Sequence, residues 1–70
     1  MTIHQLEYFC AVAEEGSVSA AARKLHIAQP PISRQLTLLE DELQVKLFVR
    51  KNKGVVITEA GQQLYTQSRQ

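Results

Sequence analysis

The 70-residue sequence contains one cysteine, Cys10. No internal disulfide is available to it, which fits a reducing compartment, and the cytoplasm is the expected location. No apolar run approaches the roughly 20 residues that a membrane helix needs. The opening Met1-Thr2-Ile3-His4-Gln5-Leu6-Glu7 lacks the basic-then-apolar pattern of a signal peptide, so Met1 reads as the natural start. Repeats, low-complexity tracts and Pro/Gly/Ser linkers are missing too, which leaves one small domain with a thin core that a partner chain could supplement. Excess charge of either sign is lacking: 8 Lys and Arg face 7 Asp and Glu. Bulk charge therefore gives no argument for a polyanionic partner. No nucleophile–base pair, phosphate loop or metal-ligand spacing occurs, and His4 and His26 stand isolated, so neither an enzyme, a cofactor nor a metal is expected.

What is present is arrangement. All seven acids lie at Glu7, Glu14, Glu15, Glu40, Asp41, Glu42 and Glu59. Two acid-free stretches remain, residues 16–39 with Arg23, Lys24 and Arg34, and residues 43–58 with Lys46, Arg50, Lys51 and Lys53. Thr2 and Gln5 have the spacing of a capping box and predict a helix over about residues 3–15, with Ile3, Leu6, Phe9, Cys10 and Ala13 on its apolar face and Gly16 at a left-handed end. Ser17 caps a second, short helix in which Val18, Ala21, Ala22 and Leu25 form the buried stripe. Pro30-Pro31 fits only a helix's first turn. The third helix, about 29–42, has Ile32, Leu36, Leu39 and Leu43 as its core stripe, and Gln29, Ser33 and Thr37, with Arg34 alongside, on the other side. Leu47–Arg50 and Val55–Thr58 read as strands flanking Lys51-Asn52-Lys53-Gly54, a hairpin with a basic tip and a glycine for positive φ. Thr58 caps a last helix in which Gly61, Leu64, Tyr65 and Ser68 mark a semi-apolar face. The fold class is mainly α: a winged helix-turn-helix, with a three-helix core, a two-stranded wing and the start of a longer C-terminal helix.

Two helices joined by a three-residue turn, the second with short polar groups near its start, have the geometry of a motif that enters the DNA major groove. Gln29 suits adenine, Arg34 guanine or phosphate, Ser33 and Thr37 either, and Pro30 and Pro31 offer apolar contact to thymine methyls. Arg50, Lys51 and Lys53 suit phosphates or a narrow minor groove. A protein-docking helical module is the alternative, in keeping with the near-neutral charge.

The stretches Ala20-Ala21-Ala22-Arg23-Lys24-Leu25, Ala28-Gln29-Pro30-Pro31-Ile32-Ser33-Arg34-Gln35, Leu47-Phe48-Val49-Arg50 and Thr58-Glu59-Ala60-Gly61 closely resemble, over the entire chain, the N-terminal domain of LysR-type transcriptional regulators. The resemblance implies a bacterial, cytoplasmic regulator that binds double-stranded operator or promoter DNA as a dimer or tetramer. It implies a DNA-binding domain over residues 1–57 and the start of a dimerisation helix over 58–70, with a separate C-terminal domain for a small-molecule effector lying outside this sequence. By position it assigns DNA contacts to Gln29, Pro30, Pro31, Ser33, Arg34, Arg50 and Lys53, and dimer pairing to the helix after Thr58, with Gly61, Leu64, Tyr65 and Ser68. Three positions depart from the common pattern: Ala28 replaces a capping serine, Gln44 a helix-ending glycine, and Lys53 an arginine. Of the remaining features, Cys10 is expected to be a buried small hydrophobe, Glu40-Asp41-Glu42 a solvated helix end away from DNA, and Gly61 a site of close packing.

Overall fold

The computed structural model of the protein describes residues 1–52 and 54–69. Its elements are α1 (Ile3–Glu15), α2 (Val18–Leu25), α3 (Gln29–Leu43), β1 (Phe48–Lys51), β2 (Gly54–Ile57) and α4 (Glu59–Ser68).

Each helix start follows from local chemistry. The Thr2 hydroxyl accepts from the Gln5 N–H at 3.1 Å and the Gln5 side chain accepts from the Thr2 N–H at 3.0 Å, which completes the capping box. Ser17 caps α2 through the Ala20 N–H at 3.0 Å, and Thr58 caps α4 through the Gly61 N–H at 3.0 Å. The first three helices all end in a left-handed residue: Gly16 at φ 73°, His26 at φ 59° and Gln44 at φ 58°. Gln44 thus makes the turn that a glycine would make more easily, and its side-chain amide donates to the Asp41 carbonyl at 2.6 Å.

Phe9, Val12, Ala21, Ile32 and Leu39 are fully buried, with Leu47 beside them. Two expected core positions are corrected. Ile3, in the first turn of α1, is 83% exposed, and the buried face is instead Gln5, Phe9, Ala11 and Val12. Gln5 tolerates burial because its amide nitrogen also donates to the Gln35 side-chain oxygen at 3.0 Å, so no polar atom is stranded. Leu43 is exposed, because α3 ends there, and the reversal at Gln44 brings Leu47 into the core in its place. Cys10 is half-buried against the core, and desolvation, followed by the Glu14 charge, pushes its thiol pKa up, against the reactive direction.

The strands are antiparallel, with Phe48 opposite Ile57 and Lys51 opposite Gly54, so that only positions 52 and 53 lie between the paired ends. Positive φ falls on Asn52, at 39°, and not on Gly54 as expected. Glycine is needed at 54 for space: a Cβ there would lie 2.5 Å from the Gly16 carbonyl oxygen, and the neighbouring Val55 N–H donates to that same oxygen at 3.0 Å. The wing is thereby tied to the α1–α2 turn.

α4 returns across α1. Gly61 is buried, and a Cβ on it would collide with the Leu47 carbonyl and the Ile57 side chain. Close packing is therefore the reason for this glycine. Farther along α4, the Tyr65 hydroxyl donates to Glu14 at 3.0 Å and accepts from Arg69 at 2.8 Å, while Lys24 of α2 donates to the other Glu14 oxygen at 2.8 Å. These bonds, Lys24 first and Tyr65 second, hold the Glu14 pKa below the usual glutamate range.

Gly61→Ala is expected to lower stability by about 1–3 kcal/mol in denaturant titration, because overpacking against Leu47 outweighs the better helix propensity of alanine. Because the folded-state pKa of Glu14 is depressed, its contribution is present above the ordinary glutamate pKa and is lost as pH falls through the folded value. Thermal unfolding of Glu14→Gln should accordingly show a shallower loss of stability than the parent between neutrality and roughly pH 3.

Candidate nucleic-acid interface

α2 and α3 are joined through His26, Ile27 and Ala28, with Ala28 in extended conformation at the N-cap of α3. Gln29, Pro30 and Pro31 are then the first three helical residues, and all three are exposed. Arg34 and Thr37 follow, exposed on the solvent side of α3, while Ile32, Leu36 and Leu39 hold the opposite side in the core. The helix therefore projects the side chains that the sequence singles out while its own position is fixed by burial.

Ser33 is half-buried because the wing stands next to it. A groove of about 470 Å3 separates α3 from the hairpin; Ser33, Thr37, Lys46 and Arg50 rim it, over an apolar floor that includes Leu36, Phe48 and Val55. A smaller cleft of about 170 Å3 opens toward the start of α2 and brings Gln29, Ser33 and Arg50 together with Ser19 and Asn52. The fold thus unites the helix and wing candidates on one side of the molecule. Ser19 and Asn52 are additions to the expected set. Their hydroxyl and amide chemistry is visible in the sequence, but nothing local relates position 19 to 52. Lys53 falls outside the described residues.

The electrostatics of this side depend on pairing. Among the described residues, Lys24, Lys46 and Arg69 lie within 4.0 Å of glutamates, whereas Arg23, Arg34, Arg50 and Lys51 form no ion pair within that distance. Arg23 lines the surface beside Ala28 and Gln29. The four unpaired cations thus belong to α2, α3 and the wing, and a nearly neutral chain acquires one cationic side.

Glu40 corrects an expectation. Its side chain is only 14% exposed, and one carboxylate oxygen accepts the Leu47 N–H at 2.7 Å and the Phe48 N–H at 3.3 Å. It is a tertiary contact and not part of a solvated helix end. Asp41 and Glu42 are exposed as expected, with Glu42 paired to the N-terminal ammonium.

The four α4 residues lie elsewhere. Gly61 is buried, Leu64 and Tyr65 pack on the core, and the Ser68 hydroxyl donates to the Leu64 carbonyl at 2.8 Å. This edge of α4 is covered by the chain itself, and the outward positions are Gln62, Gln63, Thr66 and Gln67.

The missing cap on α3 also has a physical reason. A capping side chain accepts from the N–H of the second or third helical residue, and here both are prolines without one. Ala28→Ser is therefore expected to change stability by less than about 0.5 kcal/mol in chemical denaturation, against about 1 kcal/mol for an ordinary serine cap.

Comparison with known proteins agrees with this geometry. Residues 3–62 match the family described as bacterial regulatory helix-turn-helix protein, lysR family. The HTH-type transcriptional regulator ClcR of Pseudomonas putida is 59% identical over 61 residues, covering 87% of this chain and 21% of ClcR. The chain thus spans about a fifth of the length of that relative. Among solved structures, the CbnR DBD–DNA complex superposes with a TM-score of 0.95 at 46% identity, covering 99% of this chain and 79% of that one. The BenM DBD/catB site 1 DNA complex gives 0.93 at 45%, covering 99% and 77%. The hairpin is the wing of a winged helix-turn-helix, and the chain belongs to the LysR family of bacterial regulatory proteins.

Proposed function

We propose that this chain is the sequence-specific DNA-binding domain of a transcriptional regulator, with α3 in the major groove of double-stranded operator or promoter DNA and the wing at the adjacent backbone or minor groove. The observation that carries this reading is the side on which Gln29, Ser33, Thr37 and Arg50 line adjoining grooves between α3 and the wing, with Arg34 exposed on α3 beside them. The DNA complexes of the similar CbnR and BenM domains support it.

Roles follow from chemistry and position. Gln29 and Arg34 present bidentate groups to base edges, and Pro30 and Pro31 place apolar surface where a thymine methyl would lie. The two prolines leave the helix start few N–H groups for phosphate, so anchoring falls to Arg23, Ser19, Asn52 and Arg50, with Lys53 assigned by resemblance. Self-association as a dimer or tetramer through the helix after Thr58 rests on family membership, as does a small-molecule effector bound by a further domain. An uncovered apolar edge on α4 does not support it, because that edge faces α1 and the base of the wing. The regulatory role of its relatives supports a function in transcription control and not in catalysis.

Selection of bound sequences from random duplex DNA tests the reading and yields the half-site. Arg34→Ala is then expected to weaken binding by about 1–3 kcal/mol and relax one base preference, whereas Arg50→Ala should lower the salt slope by about 1 while leaving the preferred sequence intact. Recovery of no enriched sequence at low salt, with affinity independent of salt, would overturn it.

A further inference from the structure

Glu40 is an acid on the rim of a groove that otherwise gathers hydroxyls and cations. In the LysR-type reading proposed above, a carboxylate beside a phosphate backbone is unfavourable, so its presence there calls for a structural use. Its bonds supply one. β1 is paired with β2 along one edge only, and the N–H groups of Leu47 and Phe48, at the start of the other edge, both point to a single Glu40 oxygen. The second oxygen lies 3.9 Å from the Lys46 ammonium. Among the described residues Glu40 is the one α3 side chain hydrogen-bonded to the wing. The other wing anchors reach different elements: Val55 bonds to the Gly16 carbonyl, and Thr58 bonds to Leu47 and Lys46. Arg50 follows Phe48 by two residues on the same strand, about 7 Å along it, and shares the groove rim with Ser33 and Thr37.

We infer that Glu40 is a positioning residue for DNA recognition: by accepting the first two wing N–H groups, it sets the distance and tilt between α3 and Arg50. A helix in the major groove and a cation on the neighbouring backbone bind together only at one spacing, so an error at this joint costs the second contact after the first is made. The carboxylate is compatible with DNA because its charge is taken up by two amides and an ammonium.

The test is a double-mutant cycle in the DNA-bound protein, using the duplex recovered by selection. Glu40→Ala should weaken binding about tenfold, and in that background Arg50→Ala should cost less than about twofold although it is costly in the parent. Glu40→Gln keeps an acceptor oxygen and should lie near the parent. A purely electrostatic role predicts the opposite sign, tighter binding by both variants. A general loss of stability would lower all affinities without removing the Arg50 effect, and circular dichroism at the binding temperature checks for it. Amide exchange without DNA reads the joint directly: Leu47 and Phe48 should exchange faster in Glu40→Ala, with α1 unchanged. Tighter or unchanged binding by Glu40→Ala, or an undiminished Arg50 effect, would overturn the inference. A parent that binds no duplex overturns the DNA reading itself and the role with it, an outcome distinguishable because the exchange result still stands.

Discussion

Leu47 is where the parts of this molecule meet. Its side chain is in the core, its N–H is held by Glu40 of α3, and its carbonyl accepts from Thr58 while lying against Gly61 of α4. Burial alone would leave the chain free to slide by a residue as it leaves α3. Two directional hydrogen bonds and one close backbone contact on this single residue remove that freedom, since each fails if the register shifts. The direction of the wing, and hence the placement of Arg50 beside Ser33, follows from this segment being correctly seated.

The second organising feature is electrostatic and owes nothing to net charge. Glu14 and Glu15 neutralise Lys24, Glu14 also serves Arg69, and Glu40 faces Lys46. Subtracting these pairs leaves cations on the α2–α3–wing side, so a chain of formal charge +1 still presents a polarised surface. For a short regulator domain this division is useful: a strongly basic chain would bind any polyanion, whereas a localised cationic face favours one orientation on DNA.

Features encoded within a few residues were legible in the sequence. The Thr2–Gln5 capping box, the Ser17 and Thr58 caps, the Gly16 turn and the Pro30-Pro31 helix start all rest on residues no more than four apart, and the helix limits follow from them. The candidate face of α3 was legible for the same reason, because helical periodicity separates Gln29, Ser33 and Thr37 from Ile32, Leu36 and Leu39. What escaped depends on partners far along the chain. Burial of Gln5 requires Gln35, the role of Glu40 requires a strand that begins eight residues later, and the burden on Gly54 comes from a carbonyl at Gly16. Periodicity marks the semi-apolar edge of α4, but it cannot say that α1 and the base of the wing pack against it.

The two ends of α4 are attached by different physics. Near Thr58 and Gly61 it is held by short backbone bonds and a buried contact, whereas near Tyr65 and Arg69 the half-buried packing of Leu64 and Tyr65 is joined by exposed polar groups around Glu14. Contacts of the first kind are shielded from solvent, and those of the second weaken with salt and acid. Stiffness therefore declines along ten residues of one helix. Any torque applied at its far end is absorbed first by loosening around Glu14, and the geometry of the reading head yields last.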